Sequence, residues 1–247
     1  MNQPKYEYNP ILIALDTPFL DDAKRIVDQT RQYAGGYKVG LELCSSEGVL
    51  PVIRAISELG GSVFLDLKFK DIPATVANAA KVVSVDGVLM FNVHCDGGTA
   101  MMSAAKKAAE ESAAQVRPFV IGVTVLTSIS QQELNDEVGV PGTVESAVFR
   151  LAANAKASRL DGVVCSPQEI IALRQAFGAE FLLITPGIRP EWAAADDQKR
   201  IMTPAQAVQA GASYIVIGRP ITAPPAKIGS PKDAARLVWE TVAPYLR

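Results

Sequence analysis

Short apolar runs recur along this chain, and each is followed by a stretch whose apolar residues fall at helical spacing. The first run, 10–16, reads Pro-Ile-Leu-Ile-Ala-Leu-Asp, the continuous type found in strands buried on both faces. Thr17-Pro18 is then expected to open a helix carrying Leu20, Ala23, Ile26, Val27 and Thr30, since proline suits the first helical turn. Further strands are expected at 37–40, from 61 onward, and at 87–93, 118–125, 161–165, 181–185 and 214–218. Helices are expected at 47–59 with Leu50, Ile53 and Ile56 on one face, from Pro73 through Val83, and from Gly98 to about Ala114. Capping boxes (Ser130 with Glu133, Ser166 with Glu169) mark two more helical starts. The pattern adds helices at 144–157, from Thr203 to Gly211, and from Ser230-Pro231 to about Tyr245.

Eight strand–helix repeats with short connections argue for a parallel sheet, and that number argues for closure into one (β/α)8 TIM barrel domain over 1–247. The alternative is an open doubly wound sheet. Its phosphate fingerprint is absent, because the first strand–helix turn reads Asp16-Thr17-Pro18 rather than a glycine-rich loop.

The third run departs from plain apolarity. It reads Gly61-Ser-Val-Phe-Leu-Asp-Leu-Lys-Phe-Lys-Asp-Ile-Pro73, and strand alternation puts Phe64, Asp66 and Lys68 on one side and Val63, Leu65 and Leu67 on the other. In a barrel the carboxyl ends of the strands face the active-site mouth. The polar residues at those ends are Asp16, Lys38, Asp66, Lys68, Asn92, His94 and Thr127, with Asp71 just beyond. Like charges about 4 Å apart repel by about 4 kcal/mol at moderate dielectric, so such a cluster has to alternate in sign. Asp16, Lys38, Asp66, Lys68 and Asp71 supply that alternation. A structural ion network is the competing reading, though perturbed charges at a barrel mouth usually serve function. His94 reads as hydrogen-bonded scaffolding rather than a catalyst.

The last two loops suggest an anion. The loop from Pro186 to Met202 is long and carries Arg189, Trp192 and Gln198, and the eighth strand ends in Gly218-Arg219-Pro220. Loops after strands seven and eight often hold a phosphate; glycine lets the backbone approach it and the guanidinium fork matches its oxygens. A loop of that length in a barrel is expected to act as a lid, with Trp192 as its apolar anchor.

Composition narrows the function class without choosing it. Over 247 residues the apolar share is 49%, the charged share 20% and the formal net charge -2, with no basic block, so neither nucleic acid nor an anionic membrane is the expected partner. The amino terminus lacks the apolar core of a signal peptide, and the longest apolar run, 119–126, is too short to span a bilayer; a cytoplasmic location is expected. Three scattered cysteines (Cys44, Cys95, Cys165) and a single histidine suggest neither a disulfide framework nor a metal site.

Taken together, Asp66-x-Lys68-x-x-Asp71-Ile72-Pro73, Leu126-Thr127-Ser128, Thr185-Pro-Gly-Ile-Arg189-Pro, Asp197-Gln-Lys-Arg200 and Ile217-Gly-Arg-Pro-Ile-Thr222 resemble the bacterial orotidine 5′-phosphate decarboxylase family over nearly the whole chain. The resemblance implies a TIM barrel that converts orotidine 5′-monophosphate to uridine 5′-monophosphate for pyrimidine biosynthesis, with no cofactor and no metal. It implies that Lys68 protonates the ring carbon, Asp66 faces the substrate carboxylate, Lys38 holds the charge network and the ribose, and Asp16 binds a ribose hydroxyl. Asp71, Ile72 and Thr75 are implied to reach the neighbouring subunit's site in a homodimer with shared active sites. Thr127 is implied to lie by the pyrimidine, and Arg189, Gln198, Gly218 and Arg219 to hold the phosphate. Cys95-Asp96 departs from the small neutral residues expected before Gly97-Gly98, which touches only local loop packing. Two rivals remain at this stage: a magnesium-dependent keto-sugar-phosphate decarboxylase, disfavoured by a cation at Lys38, and a non-catalytic phosphosugar-binding barrel, disfavoured by the unneeded ammonium of Lys68.

Overall fold

The computed structural model describes residues 8–112, 115–193 and 202–246. Among them eight strands run in chain order: β1 (Ile11–Ala14), β2 (Gly36–Val39), β3 (Val63–Phe69), β4 (Val88–His94), β5 (Phe119–Val123), β6 (Gly162–Val164), β7 (Leu182–Thr185) and β8 (Tyr214–Ile217). Each pairs in parallel with the next, and β8 closes onto β1, so the expected barrel forms. Around it lie α1 (Leu20–Thr30), α2 (Leu41–Glu47), α3 (Val49–Glu58), α4 (Pro73–Val83), α5 (Thr99–Glu110), α6 (Gln131–Asp136), α7 (Val144–Ala157), α8 (Ile170–Phe177), α9 (Pro204–Ala210), α10 (Arg219–Thr222) and α11 (Pro231–Val242).

The apolar runs make sense as double burial. Leu12, Ala14, Phe64, Met90, Ile121, Ile184, Tyr214 and Val216 point inward and fill the barrel. The alternating residues, among them Ile11, Ile13, Val63, Leu65, Phe91, Val93, Ile215 and Ile217, point outward into the layer beneath the helices. Burying one such side chain is worth about 1.5–3 kcal/mol, so a one-residue slip of any strand would exchange two packed layers at once. At the barrel's lower end Tyr8 stacks on Tyr214 with ring centroids 4.7 Å apart.

One irregularity matters for the site. In the β3–β4 ladder Leu65 pairs with Phe91, but the next pair is Phe69 with Val93, so Asp66, Leu67 and Lys68 together face Asn92. Lys68 takes a left-handed backbone, φ 54, which a branched or long side chain rarely adopts. Such bulges bend a strand and re-aim its side chains, and they cluster beside active sites.

Several boundaries differ from the sequence expectation, each for a local reason. Helix α1 starts at Leu20, not at Pro18, because the Thr17 hydroxyl accepts the Phe19 N–H at 3.3 Å and holds the chain in a turn. The expected helix 47–59 begins after Gly48, whose φ of 83 separates it from α2, and Leu50 is exposed while Val52, Ile53, Ala55 and Ile56 are buried. Neither α2 nor the single turn α10 carried a periodic apolar signal. Helix α5 ends at Glu110, and Ala114 falls outside the described residues. The Ser130–Glu133 box forms as expected, with the Glu133 carboxylate accepting from Ser130 N–H at 2.7 Å and the Ser130 hydroxyl accepting from Glu133 N–H at 3.2 Å.

Candidate active site

The first three strands end in charges that meet. Lys38 Nζ lies 3.0 Å from Asp16 Oδ1 and 3.6 Å from Asp66 Oδ2, and Lys68 Nζ lies 2.7 Å from Asp66 Oδ1. The row therefore runs acid, base, acid, base across β1, β2 and β3, in the alternation that electrostatics demands. Asp66 is its hub, with a side chain only 14% exposed. Burial pushes its pKa up, but the ammonium groups of Lys38 and Lys68 and the hydrogen bonds from Lys68 and Asn92 outweigh that and hold it below the ordinary carboxylate value. Asp66 is accordingly ionised, and so acceptor-only, at neutral pH.

Asn92, fully buried on β4, completes the hub. Its Nδ2 donates to Asp66 Oδ1 at 2.7 Å, and its Oδ1 accepts the Lys68 backbone N–H at 2.7 Å. The sequence placed Asn92 among the strand-end polar residues without a task; its parity with the inward-facing Met90 was the available signal.

Two cavities adjoin at the mouth. One, of about 200 Å³, is lined by Asp66 and Lys68 together with apolar side chains of β5 to β8, including Val123, Val164, Ile184 and Val216, and by Thr127. The other, of about 360 Å³, is lined by Asp16, Ile188, Arg189, Gly218 and Arg219. Lys38, Pro186 and Val216 belong to both, so a ligand with a flat, mostly apolar end and an anionic end could span them. Arg189 is buried and its N–H donates to Met202 O at 3.0 Å, while Ile188 bridges to Met202, so the two ends of the long loop are pinned together. Trp192 packs against the outer core, in keeping with an anchor for that loop. Gln198 lies outside the described residues.

Asp71, Ile72 and Thr75 do not join the row. They sit on the exposed start of α4, where Ile72 is 66% exposed and Asp71 Oδ1 accepts the Ile72 N–H. His94 faces Asp96 at 3.7 Å, and burial keeps its pKa below the usual value against the opposing pull of Asp96. Asp96 in turn pairs with Lys70 at 2.6 Å, so the unusual Cys95-Asp96 step buries its thiol and ties the loops after β3 and β4 together. Among the described residues no group of three or more His, Cys, Asp or Glu side chains is placed to hold a metal.

A (β/α)8 barrel whose mouth joins a lysine–carboxylate row to a pocket lined by two arginines has the layout of a site for a small anionic ligand. Comparison with known proteins makes this specific. The family model for "Orotidine 5'-phosphate decarboxylase / HUMPS family" matches residues 9–236. The orotidine 5′-phosphate decarboxylase of Heliobacterium modesticaldum is 49% identical over 236 residues, covering 94% of this chain and 95% of that protein. The Moorella thermoacetica enzyme of the same name is 50% identical over 231 residues, covering 92% and 90%. The crystal structure of orotidine 5′-phosphate decarboxylase from Lactobacillus acidophilus superposes with a TM-score of 0.83 at 35% identity, covering 95% of this chain and 99% of that one. The chain belongs to the orotidine 5′-phosphate decarboxylase family.

Proposed function

We propose that this protein is a carboxy-lyase that converts orotidine 5′-monophosphate to uridine 5′-monophosphate and carbon dioxide, a step of pyrimidine biosynthesis. The family match supports the reaction, and one observation carries the residue assignment: the Lys68 ammonium held 2.7 Å from an ionised, largely buried Asp66. The bond between ring carbon and carboxylate breaks and leaves its electron pair on a carbon with no ring position to delocalise it. Enzymes lower barriers by about 8–23 kcal/mol, and this reaction draws on the upper part of that range. Lys68 places a preorganised positive charge where the pair develops and then delivers its proton to the carbon; solvent restores the proton afterwards. Asp66 stands against the departing carboxylate and keeps Lys68 in place. Lys38 and Asp16 take the ribose hydroxyls, Thr127 lies beside the pyrimidine, and Arg189, Gly218 and Arg219, joined by Gln198, hold the phosphate. Binding energy from that remote phosphate is then spent on orienting the reacting end.

The exposed Asp71, Ile72 and Thr75 serve a second copy of the chain in a homodimer with shared sites. Their exposure beside, but outside, the charge row supports this. Lys38 speaks against the magnesium-dependent rival: its ammonium lies between Asp16 and Asp66, where a dication would have to sit. Among the described residues no helix is long and apolar enough to cross a membrane.

The test is a spectrophotometric assay with orotidine 5′-monophosphate, with and without EDTA. Turnover that EDTA leaves unchanged is expected. Turnover that collapses with EDTA and returns with magnesium points to the rival, and ligand binding without turnover points to a phosphosugar-binding barrel.

A further inference from the structure

The bulge in β3 has a partner in β4. Where Asp66, Leu67 and Lys68 face the single residue Asn92, the backbone ladder leaves the Lys68 N–H without its regular acceptor. The Asn92 side chain supplies one at 2.7 Å, and with its other end reaches Asp66 Oδ1, also at 2.7 Å. The orientation of the amide is settled by its partners, since an N–H can only donate and an ionised carboxylate can only accept. Asp66 Oδ1 is the same oxygen that receives Lys68 Nζ. One buried amide thus touches the backbone of the lysine and the carboxylate that holds that lysine's tip.

Resting on the decarboxylase reading, we propose that Asn92 is a positioning residue that clamps Lys68 in its left-handed conformation and locks the Asp66–Lys68 pair in register. A lysine at φ 54 is held against its own preference, so it needs such a restraint. An isosteric aspartate could still accept the Lys68 N–H, but its second oxygen would confront Asp66 and donate to it only when protonated. The charged groups around that point are Asp66 and Lys68 on β3, Lys38 on β2, Asp16 just after β1 and His94 on β4 itself; β5, whose Ile121 pairs with Asn92, contributes no titratable group.

The experiment compares Asn92→Ala and Asn92→Asp with wild type for kcat, KM, pH profile and melting temperature. Misplacement of a reacting group by about 1 Å can cost about 100-fold. Asn92→Ala is therefore expected to lose about 100-fold in kcat with KM within about threefold, because the phosphate and ribose contacts remain. Asn92→Asp is expected to be most active at the acid end and to decline as pH rises, through a limb that wild type lacks. A fall in melting temperature with kcat unchanged, or an Asn92→Asp profile parallel to wild type, overturns the proposal. A crystal structure of Asn92→Ala reads the clamp without turnover: Lys68 leaving the left-handed region supports it, and Lys68 unchanged there overturns it. Wild type failing to turn over orotidine 5′-monophosphate sinks the functional reading alone, and the Lys68 backbone still decides this one.

Discussion

Asp66 receives two ammonium groups and an amide, which outweigh its burial and favour its ionised form in the folded state over the unfolded chain. Its folded pKa is depressed. The stability it contributes is present above the ordinary aspartate value of about 3.9 and is lost as pH falls through the lower folded value. Urea unfolding followed from neutral pH to pH about 3 is expected to show that acid limb, and Asp66→Asn to flatten it. Lys68→Ala is expected to abolish measurable decarboxylation while uridine 5′-monophosphate still binds, checked by calorimetry; full activity would remove Lys68 from the mechanism. Arg219→Ala is expected to weaken nucleotides by about 10-fold or more and nucleosides little, since charge-assisted contacts of this type contribute about 1.5–3 kcal/mol. Equal loss for both ligands would contradict the phosphate assignment. Much of this row was legible in the sequence, because a strand's period of two puts Asp66 and Lys68 on one side and barrel topology puts them at the mouth. The backbone of Lys68 was not, since positive φ is announced by glycine or asparagine and lysine gives no such sign.

Elements behaved differently according to what defines them. Strands buried on both faces announce themselves by composition, and all eight were where the apolar runs put them. Capping boxes are equally local: Ser230 Oγ accepts Asp233 N–H at 3.3 Å and the Asp233 carboxylate accepts Ser230 N–H at 3.0 Å, which starts α11. Ser230→Ala is expected to cost about 1 kcal/mol, a fall of about 2–4 °C in Tm by calorimetry, with kcat unchanged. A loss of turnover in the folded variant would tie α11 to the site. The bulge opposite Asn92 and the break at Gly48 were not legible, because each depends on what the neighbouring segment offers rather than on a period of its own.

At the scale of the molecule, the barrel brings together charges from three strands and arginines that follow two others, and no single segment contains the site. The proposed sharing of Asp71 with a second copy is the least legible part, since a sequence marks Asp71 as charged without placing it in either copy's site. Inactive Lys68→Ala and Asp71→Ala proteins, mixed under conditions that exchange subunits, are expected to recover up to about a quarter of wild-type activity. Random pairing makes half the dimers hybrid, and each hybrid carries one intact site of two. No recovery with exchange confirmed would confine the site to one chain. The proposed sharing of Asp71 has a kinetic corollary. Were the exposed Asp71, just before α4, to complete the site of a second copy, the protein's own concentration would be a reactant in catalysis. Specific activity is then expected to fall on dilution and to be protected there by saturating nucleotide, and activity independent of dilution would count against the shared site.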